Sequence, residues 1–363
     1  MQRFWVCTAA LTLGLGMGAA GLRGQGTQQQ TGPVIIPKKA PATPAPLPPP
    51  PPPPAQPKFS YSVNVPDVEV PVTVQTKNGQ FVPNLSIKQF RVYEDGVEQN
   101  IQHVSVTNDA PMTVVELVEF QNADWWSVLY QILEASYVFT GQLQPQDWVA
   151  LETFDLKPTV VVDFTHDKRA VYAGLNSLHF ANFSESDLFD SLSDTIDRLD
   201  GVQGHKTIVL IATGRNTFSH MNFDQLRKKL QETQGITIYC VSMAWTMEEF
   251  LDANGYAPMA QMSLLQADNE LRYIAESTGG RYYQPRFEGA FNDVFRDIAG
   301  TVRSQYVISY VPTNRKLDGS VRKVKVDLVA PDGQPLKMVD QKGKTVKYDV
   351  TYRSAYTSRH VVE

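Results

Sequence analysis

The segment from Lys206 to Ser219, KTIVLIATGRNTFS, constrains the fold more than any other part of this 363-residue chain. Within it, Ile208 to Ile211 is an unbroken apolar run. A strand with one solvent-facing side would carry a polar residue at every second position, so this run predicts a strand buried on both faces, as at the centre of a parallel sheet. The polar loop at 212–219 would lie at the carboxyl end of that sheet, where α/β folds place their ligands. Any α/β core strand ends in this way, so the loop alone does not define a site.

Residues 111–303 alternate between short apolar runs typical of strands and longer segments with apolar residues at helical spacing. Strands are predicted in the Lys206 segment and at 113–118, 148–154, 159–164 and 235–241. Helices are predicted at 125–140, 167–178, 186–199, 222–232, 269–277 and 287–303. This alternation predicts an α/β domain with a central, mostly parallel sheet and helices on both faces.

Two segments that flank this region show the alternation of half-buried strands. In residues 59–110, valines occupy every second position from 68 to 74, and an Asn-Gly turn signal follows at 78–79. In residues 304–353, apolar or aromatic residues alternate at 324–328 and again at 346–352. Each segment is short for a complete sandwich. We therefore predict that they pack together as one small antiparallel β-sandwich, with the α/β domain (111–303) inserted into it, and that 354–363 is a disordered tail.

The amino-terminal 58 residues have the composition of export and spacer segments. Residues 1–25 are predicted to be a signal peptide, because Arg3 precedes an apolar run with small residues near its end. Residues 26–58 are predicted to be a disordered proline-rich linker that acts as an extended stalk. We therefore expect a protein that is secreted or located in the periplasm or cell envelope. The alternative is an uncleaved N-terminal anchor, which would be the chain's one contact with a membrane.

Composition and motifs favour a non-enzymatic protein. Signal cleavage would leave Cys240 as the sole cysteine, so no internal disulfide is expected. The net charge is −5 and the basic residues are scattered, which argues against a nucleic-acid partner. The chain has no HExxH, GxSxG or P-loop motif, and its histidines lack metal-ligand spacing. Asp187, Asp190 and Asp194 cluster on one helix and are predicted to form a solvated face near its N-terminus.

Five stretches in residues 65–353 together resemble the VWFA-related domain proteins of the acidobacterial type, which contain a von Willebrand factor A-like domain with flanking β segments. They are VPVTVQTKNGQFVPNLSIKQFRVYEDGVEQNIQHVSV at 70–106, LQPQDWVALETF at 143–154, the Lys206 segment, IAESTGGRYYQP at 274–285 and RSQYVISYVPTN at 303–314. Each stretch is weak alone, but their order and spacing are specific. The resemblance implies a Rossmann-like domain that binds other proteins and does not catalyse a reaction.

Domains of this family often carry a metal-ion-dependent adhesion site, built from Asp-x-Ser-x-Ser after the first strand, a later threonine and a second aspartate. These oxygen ligands suit Mg²⁺. Here the corresponding positions hold Glu119, Gln121, Ala123, Ser186 and Thr213. Because only one carboxylate and one hydroxyl match the pattern, we expect no metal and no other cofactor, and a degenerate binding rim at Glu119, Gln121, Ser186 and Thr213. The alternative is a weak Mg²⁺ site that also uses Asp187.

A second candidate surface is an insert at 244–268, between the strand at 235–241 and the helix at 269–277. It is longer than such a connection requires and is rich in aromatic residues and methionine, which supply interface anchors. Trp245, Phe250 and Tyr256 are the predicted binding residues. The alternative is a short helix that covers its own apolar side chains.

We therefore predict a secreted or envelope-associated adhesion module that binds a protein partner in the periplasm or at the cell surface. The first alternative is a structural subunit of a surface assembly, which would use exposed strand edges. The second is a hydrolase that acts at the carboxyl-end rim, which would require clustered catalytic groups in a deep pocket.

Overall fold

A computed structural model of the protein describes residues 67–107, 110–120, 126–178, 185–245, 257–287, 289–339 and 343–358. The predicted signal peptide at 1–25 and the linker at 26–58 lie outside these residues. Among the helices in the described ranges, none is both long enough and apolar enough to cross a membrane.

Along the chain, the described residues form antiparallel strands, then an α/β part, and then further antiparallel strands. The strands are β1 (Val68–Thr76), β2 (Phe90–Glu94), β3 (Val97–Gln99), β4 (Ile101–Val106), β5 (Met112–Glu119), β6 (Trp148–Phe154), β7 (Pro158–Thr165), β8 (His205–Ala212), β9 (Ile236–Ser242), β10 (Tyr282–Tyr283), β11 (Tyr306–Tyr310), β12 (Val321–Leu328), β13 (Met338–Val339), β14 (Thr345–Val346), β15 (Tyr348–Tyr352) and β16 (Ala355–Thr357). The helices are α1 (Trp126–Gln142), α2 (Lys168–Ser177), α3 (Leu188–Leu199), α4 (Phe223–Glu232), α5 (Ala257–Ser277) and α6 (Ala290–Arg303).

The central sheet has six strands in the order β10-β9-β8-β5-β6-β7, and only the edge strand β7 runs antiparallel to its neighbour. Strand β8 is buried on both faces, as its unbroken apolar run predicts. Val209 and Ile211 pack with α1, α2 and α6 on one side, whereas Ile208 and Leu210 pack with α3, α4 and α5 on the other. Burial of each such side chain contributes about 1.5–3 kcal/mol, so helices on both faces are needed to stabilise the strand. The predicted fold class is confirmed.

Strands from both ends of the chain share two antiparallel sheets, β15-β1-β11-β4 and β16-β12-β2-β3. Their inner faces share a core. It contains Val68, Val70, Val72, Val74, Phe90, Val92, Tyr306, Ile308, Tyr310, Val324, Val326, Leu328 and Tyr356. The alternation of apolar residues in β1 and β12 places one face of each strand in this core. Within it, the buried carboxylate of Glu94 accepts hydrogen bonds from the hydroxyls of Tyr310 and Tyr356, at 3.0 and 2.7 Å.

The α/β part leaves and rejoins the antiparallel strands at one position. Val106, the last residue of β4, pairs with Tyr306, the first residue of β11. Beside this pair, Thr107 donates its N–H to Gln305 O at 3.0 Å and its hydroxyl to Val302 O at 3.1 Å. Both Thr107 and Gln305 are buried. We call these two paired segments, through which the chain enters and leaves the α/β part, the neck.

The structure corrects two predicted boundaries. The helix predicted at 269–277 begins instead at Ala257, so the second half of the predicted insert at 244–268 is helical. Leu264, Ala267 and Leu271 are buried at helical spacing, and Pro258 lies in the first turn, where proline is tolerated. The predicted disordered tail at 354–363 is also wrong for Ala355–Thr357, which pairs with β12 and buries Tyr356.

Arg353 connects the sandwich to the α/β part. Its side chain follows β15 and is buried, and its guanidinium donates to the Leu230, Gln231 and Thr233 carbonyls at the end of α4 and to Ala355 O. The last carbonyls of a helix have no partners within the helix and carry its negative dipole end, so a cation is favourable there. Burial lowers the pKa of Arg353 to about 10, which leaves the side chain charged at neutral pH.

We predict that Arg353→Met lowers the free energy of unfolding by about 2–4 kcal/mol, because it leaves several carbonyls of α4 without donors. Urea unfolding followed by circular dichroism measures the change. Arg353→Lys should recover only part of the loss, since an ammonium cannot reproduce the planar fork. The matched control is Arg315→Met at an exposed position, for which a change within about 0.5 kcal/mol is expected. Equal effects at the two positions would contradict this role of Arg353.

Candidate functional site

Three of the four residues of the predicted degenerate rim meet at the carboxyl end of the central sheet. Glu119 is the last residue of β5, Thr213 follows β8, and Ser186 precedes α3. Strands β5 and β8 are parallel neighbours, so their carboxyl ends lie side by side. All three residues are buried, with no more than 3 % of their surface exposed. Gln121 lies outside the described residues.

Glu119 is held by Thr213. The Thr213 N–H donates to Oε2 of Glu119, and the Thr213 hydroxyl donates to Oε1 at 3.2 Å. Burial raises the pKa of Glu119 above its ordinary value, whereas hydrogen bonding to Thr213, the nearby Ser186 hydroxyl and the positive charge of Arg215 act to lower it.

The residues at this position do not fit a Mg²⁺ ion. Magnesium requires near-octahedral oxygen ligands and dehydrates reluctantly, so it depends on well-placed anionic oxygens. Both oxygens of Glu119 already accept hydrogen bonds from Thr213, and Thr213 carries no charge. The unpartnered Ser186 Oγ is a single neutral donor atom. Across the described ranges, no group of three or more His, Cys, Asp or Glu side chains is arranged to hold a metal ion.

Residues 214–221, which we call the rim loop, are fastened to the segment that begins α3. The N–H groups of Thr217 and Phe218 both donate to Ser186 O, at 2.9 and 3.0 Å, and Ser186 N–H donates to the Thr217 hydroxyl at 2.8 Å. Gly214 has a φ of +80°, and a Cβ there would lie 2.8 Å from the carbonyl oxygen of Ala267 in α5. The rim loop therefore contacts two helices, and only glycine fits at its first position.

Two of the three clustered aspartates also hold the rim loop. Asp187 is 6 % exposed, and its Oδ1 lies 2.6 Å from the Ser219 hydroxyl. Asp190 accepts the N–H groups of His220 and Met221, at 2.8 and 2.9 Å. The interpretation of this cluster as a solvated face is therefore wrong for Asp187 and Asp190. The sequence showed the spacing of the carboxylates, but their partners come from a loop about 30 residues away, which the helical pattern does not reveal.

Helix α5 extends beyond the end of the sheet. Asp268 accepts a hydrogen bond at 2.8 Å from Ser242, the last residue of β9, so this part of α5 is level with the carboxyl end of the strand. Residues 257–267 lie beyond this level in the helix and span a helical length of about 16 Å at 1.5 Å per residue. We call them the α5 overhang. Within it, Met262 and Leu265 are 77 % and 62 % exposed, while Leu264 is buried. Phe218 of the rim loop is also exposed, at 53 %.

Of the three binding residues predicted in the insert, only Trp245 is described. It lies three residues after β9 and is half-buried, and its indole Nε1 is buried without a hydrogen-bond partner. Phe250 and Tyr256 lie outside the described residues. Met262, Leu265 and Phe218 were not predicted as binding residues. Residues 262 and 265 lie in the segment at 244–268 that we predicted to be an insert. The exposed and buried faces of this segment become distinct only because residues 257–268 belong to helix α5.

A cleft of about 820 Å³ lies at the opposite, amino end of the parallel strands. Its lining includes His205 and Lys206 from β8, Glu69 from β1 and Asp200 after α3. Burial lowers the pKa of His205, and the charge of Glu69 opposes this shift. The predicted rim residues are not part of this lining, so the largely polar cleft is separate from the rim.

Strand β5 carries a second buried acid. Oε1 of Glu116 accepts a hydrogen bond from the Thr140 hydroxyl of α1 at 2.8 Å, while Oε2 has no hydrogen-bond partner. Burial raises the pKa of Glu116 to about 7, and the hydrogen bond from Thr140 and the nearby Ser136 hydroxyl oppose the shift. A raised pKa in the folded state means that the folded protein binds the proton more tightly. The stabilisation that comes from this tighter proton binding by Glu116 is therefore complete below about pH 4.5 and is lost as the pH rises to about 7.

We predict that Glu116→Gln makes the protein more stable than wild type at pH 8, by up to about 3 kcal/mol, because raising a pKa by one on folding corresponds to about 1.4 kcal/mol. At pH 4 the two proteins should differ little, since the glutamine amide keeps an acceptor for Thr140. Urea unfolding at several pH values measures this difference. Glu134→Gln, an exposed position on α1, is the control and should leave the pH profile of stability unchanged. A constant difference between Glu116→Gln and wild type at all pH values would contradict the prediction.

No protein-family model matches the chain. No curated protein matches it either. Among similar solved structures, a von Willebrand factor type A protein from Catenulispora acidiphila is 12% identical, with a TM-score of 0.43, and the match covers 83% of this chain and 75% of that one. The vWF domain of the type V pili tip protein Mfa5 from Porphyromonas gingivalis is 13% identical, with a TM-score of 0.38, and the match covers 55% and 96%.

Proximal thread matrix protein 1 from the mussel byssus is 11% identical, with a TM-score of 0.43. The match covers 58% of this chain and about half (51%) of that protein. Von Willebrand factor A domains, which the sequence motifs predict, are thus among the structures to which this chain is similar. At these identities the likeness concerns the fold alone, and the order of the strands describes that fold directly.

Proposed function

We propose that this protein is a non-enzymatic interaction module of the von Willebrand factor A type, which binds a protein partner at the carboxyl-end rim of its central sheet. The α5 overhang carries this proposal. It projects large apolar side chains past the end of the sheet, where α/β folds bind their ligands. Exposed apolar side chains grouped at one rim, with polar residues around them, are typical of protein-binding sites.

The closed network around Glu119 supports the same proposal. Its carboxylate is buried and bonded to Thr213, so it is not placed to act on a substrate. We therefore propose that the rim contributes shape and apolar contact and that it performs no acid–base chemistry. The signal peptide and the proline-rich linker that we predict from the sequence favour a location outside the cytoplasm, in the periplasm or at the cell surface.

We predict that rim substitutions abolish partner capture. The tagged full chain is used to capture proteins from an envelope extract of the source organism, and bound proteins are compared between variants by mass spectrometry. Trp245→Ala and the double variant Met262→Ser/Leu265→Ser should each lose the proteins that wild type retains, because a buried interface anchor contributes about 2 kcal/mol or more. Variants are used only if their melting temperatures match that of wild type.

Ser105→Lys is the matched control for this experiment. Ser105 is exposed in β4, at one edge of the sandwich, and a lysine there blocks the addition of another strand. It should capture the same proteins as wild type. Loss of capture by Ser105→Lys, with normal capture by the rim variants, would reject the rim and support the alternative of a surface-assembly subunit.

We also propose that the rim binds no metal. Millimolar Mg²⁺ or Mn²⁺ should leave the melting temperature unchanged, because among Glu119, Ser186 and Thr213 only Glu119 carries a carboxylate, and that carboxylate is already bonded to Thr213. A ligand present at about 100 times its Kd would stabilise the protein by about 2.7 kcal/mol, which a thermal melt detects easily. A rise in melting temperature that Glu119→Gln removes would show that the site retains a metal.

A further inference from the structure

The rim loop carries a guanidinium, that of Arg215, whose charge acts on the buried Glu119 and lowers its pKa. Arg215 is half-buried, and its guanidinium forms no ion pair with any residue in the described ranges. Its backbone is fixed, since Arg215 N–H donates to the Thr213 hydroxyl at 3.2 Å, and that hydroxyl donates to Glu119. The carbonyl and carboxylate groups that hold the rest of the loop bind backbone N–H groups and the Ser219 hydroxyl, and they leave the Arg215 side chain free.

Phe218 lies three residues further along the same loop, and its side chain is 53 % exposed. Its N–H is bonded to Ser186 O, so the residue is exposed on a fixed backbone. Fixed groups lose little conformational entropy when they bind, which favours affinity. Arginine and aromatic residues are also the types that most often dominate the energy of an interface. The rim loop therefore combines a free guanidinium and an exposed ring in a preorganised segment.

The chemistry of this pair selects the ligand. A guanidinium binds planar oxyanions through paired N–H donors, so both carboxylate and phosphate are suitable in principle. The carboxylates of Asp187 and Asp190 lie beneath the loop, and they would repel a phosphate dianion more strongly than a single carboxylate. The exposed ring of Phe218 adds a contact for an apolar side chain. The expected ligand is therefore an aspartate or glutamate that has an apolar neighbour.

We propose that Arg215 and Phe218 anchor an acidic side chain, flanked by an apolar residue, on the surface of the partner protein. This inference rests on the proposed function, because it assigns the partner's chemistry at the same rim. In this proposal the guanidinium of Arg215 supplies the positive charge that binds the partner's carboxylate, at a rim where Glu119, Ser186 and Thr213 do not fit a metal ion.

Two matched peptides test the proposal, acetyl-Leu-Asp-Phe-amide and acetyl-Leu-Asn-Phe-amide, with acetyl-Leu-phosphoSer-Phe-amide as the phosphate arm. Each is titrated into the ¹⁵N-labelled full chain, and the amide signals of residues 213–219 are followed by NMR. We expect the aspartate peptide to shift these signals at millimolar concentration, and the asparagine peptide to bind at least about tenfold more weakly. Raising the salt concentration should weaken the binding of the aspartate peptide, because salt screens the attraction between charges.

Arg215→Gln should lower the affinity for the aspartate peptide by about tenfold or more, and Arg215→Lys should lower it by less. Arg315→Gln, at an exposed arginine of the sandwich region, is the control and should bind as wild type does. Phe218→Ser should lower the affinity for the aspartate and asparagine peptides by the same factor. The proposal is overturned if the aspartate and asparagine peptides bind alike, if Arg215→Gln binds normally, or if the phosphoserine peptide binds more tightly than the aspartate peptide.

The capture experiment separates this inference from the proposed function. If Trp245→Ala and Met262→Ser/Leu265→Ser lose the partner while Arg215→Gln retains it, the rim binds a protein and the role of Arg215 is rejected. If the aspartate peptide binds through Arg215 but none of these variants changes capture, the acid-binding site exists and the proposed function is rejected. Loss of capture by Arg215→Gln, together with peptide binding that depends on Arg215, supports both.

Discussion

The neck is the constraint on which the rest of this structure depends. The chain enters the α/β part after β4 and leaves it before β11, and Val106 pairs with Tyr306 across that point. The antiparallel sheets can therefore form only when segments about 200 residues apart are brought together, which carries a large loop-closure cost. The described part of the chain holds a single cysteine, the buried Cys240, so packing and hydrogen bonds at the neck and at Arg353 provide this connection.

The same architecture determines where binding can occur. Strands β5 and β8 are buried on both faces, so their side chains serve the core and their carboxyl ends provide the accessible rim. At that rim Glu119, Asp187 and Asp190 all bind protein groups. Among the described residues of the rim loop and the α5 overhang, Phe218, Met262 and Leu265 are exposed and Arg215 is half-buried. Such a surface suits the proposed binding through apolar contact and charge, and the Glu119 carboxylate is already hydrogen-bonded to Thr213.

Buried charges are used in two different ways in this protein. Arg353 is compensated by several carbonyl groups, and it stabilises the contact between the sandwich and α4. Glu116 is compensated by one hydroxyl, and its raised pKa makes the folded state less stable as the pH rises. Arg215 is half-buried and forms no ion pair in the described part of the chain, so its charge is available for recognition. The degree of compensation, more than burial alone, thus separates structural charges from those that can act in binding.

The sequence alone determined the fold class, because patterns of burial are local: four consecutive apolar residues at 208–211 predict a strand covered on both faces, and alternation in β1 predicts a strand with one buried face. It also located Glu119, Ser186 and Thr213, since a motif specifies which loops meet. Only the tertiary structure decided what these residues do. Whether a carboxylate is free depends on its partners, and those of Glu119, Asp187 and Asp190 lie 30 to 94 residues away in sequence. The burial of Tyr356 was likewise decided by packing partners that no local pattern contains, whereas the extension of α5 to Ala257 follows a helical spacing of apolar residues.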